Sequence, residues 1–211
     1  MKTVIIIFSI ILSLVNTSFG QNRKDSLLVF VGEMIDVKYV PRSPIDTTIR
    51  GKDTFYSVRM DSKFAAKYKV LQWVYGKYQA DTIEFTVFDH YGEPSFSKYK
   101  TALLFVSIHN KKLYHEKYQY FDVYKTTDGR WASPGNPYKL DGNHQKDIQA
   151  QTMIFIDNLS FDITNNPRER ELKAPYYKIE GQKAIPIMGT YVEDLFRVKQ
   201  EGVLKARGIF D

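Results

Sequence analysis

Apolar and polar positions alternate by twos over much of the first two thirds of the chain, a period that strands satisfy and helices do not. Residues 27–39 (LLVFVGEMIDVKY) open as an apolar run and close in alternation. Val29, Val31, Glu33, Ile35 and Val37 share one parity, and Gly32 marks a bend. Residues 63–75 predict a further strand ending at Gly76, and residues 81–89 alternate cleanly, with Ile83, Phe85 and Val87 opposed to Thr82, Glu84 and Thr86. A weaker strand covers residues 54–60. Residues 41–53, with Pro41, Pro44 and Gly51, and residues 90–99, with Gly92 and Pro94, are expected as loops. Residues 101–109 and 112–125 read as a hairpin turning at Asn110-Lys111.

After the Asp128-Gly129 turn the pattern weakens. Residues 131–142 are rich in Pro, Gly and Asn, and a soft boundary falls there. Residues 152–157 are a short strand candidate, 164–170 a charged loop, and 176–187 an extended segment bounded by Pro175 and Pro186. The best helix comes last. Thr190 and Glu193 have the spacing of a capping box, and Val192, Leu195, Phe196 and Val203 fall on one stripe, with Gly202 or Gly208 as stops. Glu193 with Arg197, and Glu201 with Lys205, are spaced as i,i+4 pairs. The basic and apolar mixture of residues 195–210 suits a docked terminal helix, or alternatively a helix lying on a membrane or partner.

The opening residues differ from everything after them. Lys2 precedes an apolar run over residues 4–15, and Ser18 and Gly20 stand where a signal peptidase cuts, before Gln21. Residues 1–20 are therefore expected as a signal peptide, leaving 191 residues of an exported protein, periplasmic or secreted, with no transmembrane span after cleavage. The absence of Cys excludes a lipoprotein anchor at that site, disulfide staples, thiolate metal sites and thiol nucleophiles. Net charge is +6, or +5 without Lys2, with the cations spread along the chain. This suggests a mixed solvated surface, and after that contact with anionic envelope surfaces; nucleic acid is disfavoured by compartment. The 15 Tyr and 14 Phe fit half-buried pleated surfaces. The expected fold is mainly β: an antiparallel barrel over residues 21–131, then an irregular extension over 132–211 whose C-terminal helix packs on the barrel.

Three stretches together, LLVFVGEMIDVKY, YKVLQWVYGKYQADTIEFTVFDH and ALLFVSIHNKKLYHEKYQYFDVY, resemble the netrin-like module. That is the OB-fold barrel shared by tissue inhibitors of metalloproteinases and related exported domains. The resemblance covers residues 27–131 and rests on strand order, a Val-Tyr-Gly turn and a hairpin. It implies an OB-like barrel used for protein or ligand binding. In the inhibitors an N-terminal Cys presents its amine and carbonyl to zinc; here Gln21 stands at that place and the family's disulfides are missing, so no site residue carries over.

Tyr114, Tyr118, Tyr120 and Tyr124 share a parity and form the candidate ligand face, suited to stacking on sugar rings or anchoring a protein. The alternative is that this row packs under the C-terminal helix or the extension. Asp89 and His90 at a strand exit are the alternative acid–base pair, although strand neighbours face opposite ways and no nucleophile stands nearby. Paired carboxylates among Asp162, Glu169 and Glu171 are the remaining hydrolytic option. Of the four His (His90, His109, His115 and His144), a two-residue turn at Asn110-Lys111 puts His109 and His115 on opposite faces; a three-residue loop would bring them together. No metal site or cofactor is expected. The reading is a non-enzymatic module recognising protein or glycan in the envelope or extracellular space, with an envelope hydrolase or a structural subunit as alternatives.

Overall fold

The computed structural model describes residues 27–139, 147–164 and 171–210. The proposed signal peptide, His144 and Glu169 lie outside the described residues. The first strands are β1 (Leu27–Tyr39), β2 (Ile45–Arg50), β3 (Asp53–Val58), β4 (Ser62–Tyr75), β5 (Thr82–Asp89), β6 (Thr101–His109) and β7 (Lys112–Asp122). Five of them close into a barrel in the order β1-β4-β5-β7-β6, with β6 returning to β1. The fold is mainly β with an OB-like barrel. One feature of the expectation needs correction: the barrel is mixed, because β5 and β7 run parallel. The hairpin β6–β7 and the hairpin β4–β5 arrive at that seam from opposite sides, and the loop between β5 and β6 reverses the chain so that β7 meets β5 in the same sense.

β1 explains itself once the barrel is closed. Its first half is buried throughout, which an ordinary half-exposed strand does not show. Leu28 and Phe30 point into the barrel with Tyr68, Phe85, Phe96 and Leu104. Leu27, Val29 and Val31 point outwards with Leu103 and Phe105, and the C-terminal segment covers them. Gly32 is small for a reason: a Cβ there would stand 2.9 Å from the Phe30 ring and 3.0 Å from Tyr68.

The expected loop over 41–53 holds a strand instead. β2 and β3 form a separate two-stranded ribbon, paired from Ile45 and Val58 to Arg50 and Asp53, and all twelve residues are exposed. Without burial there is no periodic signal to read, and the two prolines stand just before the ribbon, where they remove no ladder hydrogen bond.

The turn at Asn110-Lys111 forms as its residues require. Both have positive φ, 48° and 61°, and His109 pairs with Lys112. His115 is then buried in the barrel and His109 exposed on the outside.

Beyond the barrel come β8 (Tyr124–Lys125), β9 (Trp131–Pro134), β10 (Gln151–Thr152), β11 (Phe161–Asp162), β12 (Tyr177–Glu180), β13 (Lys183–Pro186) and β14 (Met188–Tyr191). They make two small sheets, β10-β14-β9-β8 and β11-β13-β12. The strand candidate at 152–157 is only β10 followed by a 3-10 turn at Ile156–Asn158. Helix α1 (Val192–Lys199) follows β14 directly and continues as a wider turn over Gln200–Leu204, kinked at Gly202. Val192, Leu195 and Phe196, with Ile209 and Phe210 behind them, close over β1 and β6. Phe196 stacks on Tyr75 with ring centroids 4.9 Å apart. Each such side chain contributes roughly 1.5–3 kcal/mol by burial.

Two helix expectations are corrected. The N-cap is Tyr191, with no side-chain cap hydrogen bond, because Thr190 is committed to β14 opposite Ser133. Glu193 turns from Arg197 to Arg130, at 3.0 Å, and accepts from the Gln72 amide at 3.0 Å, while Arg197 bonds Asp194 and approaches Glu201 at 3.9 Å. The helix thus spends its first acidic residue on tying the β8–β9 turn to β4.

Candidate functional site on the parallel seam

The tyrosine row does not survive folding as a row. Between the pairs Val106–His115 and Leu104–Tyr120, β7 carries three more residues than β6, and the bulge inverts the facing of all that follows. Tyr118 sits at its apex with φ 67° and is 38 % exposed. Tyr114, before the bulge, faces outwards and stacks with Phe88 at 6.3 Å. Tyr120, after it, packs against the barrel core beside Phe96 and Tyr99. Tyr124 has left the barrel for a small cluster with Phe155 and Phe161. So the four expected ligand residues divide into an outer pair, Tyr114 and Tyr118, and an inner pair, Tyr120 and Tyr124. Neither pair lies beneath α1, but Tyr124 packs against the extension, as the alternative reading had it for the row.

The bulge is held from inside and from both flanks. Within the barrel, His115 donates from Nε2 to the Gln119 carbonyl at 2.9 Å, spanning the bulge. Burial against Phe96 and Phe85 pushes its pKa down to about 3, so the ring is neutral and keeps that donor. On one flank Arg207 donates to Glu116 at 3.0 Å and to the Lys117 carbonyl at 2.9 Å, and Ser107 donates to the other oxygen of Glu116. On the other flank Lys117 grips both oxygens of Asp61, at 2.7 and 2.8 Å, and that hydrogen bond raises the lysine pKa.

The outer pair of tyrosines meets the other sequence candidates across the seam. β5 and β7 share one bridge, Thr86 to Tyr114, so outward residues of the two strands lie side by side. Tyr91, just past β5, is 85 % exposed, and its ring lies 5.9 Å from that of Tyr118. His90 stands edge-on to Tyr91 and hydrogen-bonds through Nδ1 to the Met60 carbonyl at 3.1 Å, with Asp61 at 3.6 Å. Arg42 covers Phe88 at 4.9 Å and donates to the Asp61 carbonyl. At the opposite end a groove of about 300 Å³ lies over Ala65 and Thr86, walled by Tyr78, Glu84, Lys111 and Lys112.

Asp89 and His90 do not form an acid–base pair. Asp89 is buried and accepts the Tyr91 backbone N–H at 2.8 Å, an Asx-type turn that aims Tyr91 outwards. The carboxylate near His90 is that of Asp61, already held by Lys117. Among the other carboxylates, Asp162 accepts the Thr164 N–H at 2.7 Å, and Glu171 borders a cavity of about 160 Å³ with Lys139, Lys173 and Tyr177. Among the described residues no three His, Asp or Glu converge as metal ligands.

Sequence reasoning missed Tyr91, Phe88 and Arg42, although the Asp89-His90-Tyr91 run at a strand exit was the available signal for the first. It also missed Asp61, whose role depends on a bulge that only the β6 register reveals.

No helix among the described residues is long and apolar enough to cross a membrane. No protein-family model matches the chain, and neither the curated proteins nor the solved structures compared with it give a match.

Proposed function

We propose that this protein is an exported, non-enzymatic binding module that takes an extended ligand, in the first place a glycan chain, along the seam between β5 and β7. One observation carries the reading: the groove at Thr86, the Phe88–Tyr114 stack and the Tyr91–Tyr118 pair stand in line on one outer face. The exposed rings of Tyr91 and Tyr118 offer sugar faces a large contact area at little entropic cost, the half-buried Phe88–Tyr114 stack lies between them and the groove, and the groove supplies hydrogen-bonding and charged groups from Glu84, Thr86, Lys111 and Lys112. OB-like barrels commonly bind chains across their second and third strands and the adjoining loops, here β4, β5 and the Asn110-Lys111 turn; the seam overlaps that region in β5 and the turn, which supports the choice by analogy of fold alone. The netrin-like resemblance belongs to the same proposal and rests on the residues that carry it. Export rests on residues 1–20 in the same way.

A protein ligand is the second reading, because exposed Tyr is also the residue type that anchors protein interfaces. The deciding experiment titrates the protein against neutral and anionic polysaccharides and repeats it with Tyr91→Ala and Tyr118→Ala. The proposal expects each variant to weaken binding about tenfold, as loss of a contact centre does, with the fold intact by circular dichroism. Binding by neither class of polysaccharide, or variants that bind like the parent, would overturn the glycan reading.

A further inference from the structure

The β2–β3 ribbon has two unlike faces, and the register assigns them. Ile45, Thr47, Ile49, Thr54, Tyr56 and Val58 share one face; Asp46, Thr48, Arg50, Asp53, Phe55 and Ser57 share the other. The first face carries no charge, yet Ile49, Tyr56 and Val58 are 72, 73 and 70 % exposed. A two-stranded ribbon bare on both sides is marginal in water, and uncharged exposed strands ordinarily carry a Lys or Pro against aggregation. This face carries neither.

The charge around it is one-sided. Residues 36–69 hold eight Lys or Arg against four Asp. Asp36 is bound by Lys38 at 2.5 Å, Asp46 by Arg59 at 2.9 Å and Asp61 by Lys117 at 2.7 Å. Arg50 and Lys52 flank Gly51 at the turn, where a Cβ on the glycine would meet nothing within 4 Å; with Asp53 opposite Arg50, the two cations still outnumber the one acid there. Apolar side chains, a tyrosine and a cationic turn are the combination found on elements that rest in the headgroup layer of an anionic bilayer.

We propose that the ribbon docks, apolar face down, on an anionic lipid surface. Ile45, Ile49 and Val58 enter the acyl boundary, Tyr56 lies at the headgroup level and Lys52 at the turn meets the phosphates, while Arg50, on the opposite face over the Phe55 ring at 5.9 Å, adds its charge at the end of the ribbon. A second copy of the chain fits less well, since it would set this cationic segment against itself. A protein partner fits less well on size: six side chains on a flat ribbon fall far short of the roughly 20–30 residues a side of a stable interface. Lipid needs no complementary shape. The inference stands on residues outside the seam, so its failure leaves the glycan reading untouched, and the reverse.

The test is co-sedimentation of the full chain with vesicles of phosphatidylcholine alone or with added phosphatidylglycerol, at low and high salt. The expected result is salt-sensitive binding to the phosphatidylglycerol vesicles, lost in the double variant I49S/Y56S. Binding should weaken about five- to thirtyfold in R50Q/K52Q, about fivefold for Lys52 and up to as much again for the more distant Arg50. Y56W should give a blue-shifted emission only with the anionic vesicles. Equal binding by the parent and both double variants overturns the proposal, and this outcome includes any contribution from the apolar run at residues 4–15, which those variants retain. No vesicle binding overturns it too. So does a concentration-dependent dimer, formed without lipid and abolished in I49S/Y56S, which would assign the face to a second copy.

Discussion

Arg207 and Glu116 are joined across the outside of the barrel, guanidinium to carboxylate at 3.0 Å, although the chain places them at opposite ends of the second half. The same guanidinium donates to the Lys117 carbonyl at 2.9 Å, so the C-terminal segment holds both the side chain and the backbone of the bulge that presents Tyr118. Arg207→Ala should cost about 1–3 kcal/mol of stability, the usual value of partly buried charge-assisted bonds. It should also weaken the seam ligand without touching it. Arg207→Lys should restore little, because an ammonium lacks the two-pronged geometry. Urea unfolding and ligand titration on the same variants check both; an Arg207→Ala protein as stable as its parent would show the clamp to be idle.

The buried imidazole of His115 makes stability depend on pH in a definite direction. Its folded pKa of about 3 lies below the ordinary histidine value of 6.5, so between these limits the unfolded chain binds a proton that the folded protein does not. Stability is therefore full above pH 6.5 and declines as pH falls towards 3, by about 1.4 kcal/mol per unit from this group. His115→Gln removes the titration. Between pH 7 and pH 4.5 the parent should lose about 2–3 kcal/mol more than the variant in urea melts, and parallel losses would refute the assignment.

Lys139 and Asp122 form an ion pair at 2.9 Å with side chains only 4 % and 2 % exposed. The lysine also donates to Ser133 at 3.0 Å and to the Pro134 carbonyl at 3.2 Å, pinning the segment after β9 to the end of β7. Lys139→Met leaves a buried carboxylate without its cation and should cost about 3–5 kcal/mol. Adding Asp122→Asn should recover part of that loss. A double-mutant cycle by denaturant unfolding measures the coupling, and additive losses would mean the pair is not one unit.

Tyr118 separates strain from recognition. Its φ of 67° is costly for any side chain with a Cβ, by about 1–2 kcal/mol, and free for glycine. Tyr118→Gly should therefore be at least as stable as Tyr118→Ala by about 1 kcal/mol. Both should lose the ring that faces Tyr91 and bind the seam ligand equally poorly. If the glycine variant is the less stable of the two by thermal melting, the strain account of the bulge fails.

β5 was legible because its burial leaves a periodic trace, with Ile83, Phe85 and Val87 entering the barrel, and the hairpin β6–β7 because its turn falls at Asn110-Lys111. The unbroken apolar start of β1 was legible as a strand but not as a wall between two cores, since the second core is completed by Val192, Leu195, Phe210 and their neighbours at the far end of the chain. The tyrosine row was misread for a register reason. Three extra residues against β6 change the facing of Tyr120 and Tyr124, and a single strand's sequence holds no record of its partner's length. Of the ribbon only β3 was legible, as the weaker strand over residues 54–60; β2 was missed, since it buries nothing. Thr190 and Glu193 have the spacing of a cap, but Thr190 was already held by its pairing in β14.

The wall formed by β1 also orders events in time. Leu27, Val29 and Val31 are among the first described residues to leave a ribosome or a translocation pore, and the side chains that shield their outer face, Phe196, Ile209 and Phe210, are among the last. Until those arrive, the earliest strand shows water an oily stripe. The outer face of β1 therefore reaches its native burial only once residues 192–210 have joined it, whereas the inner core, built from residues 28–120, does not depend on them.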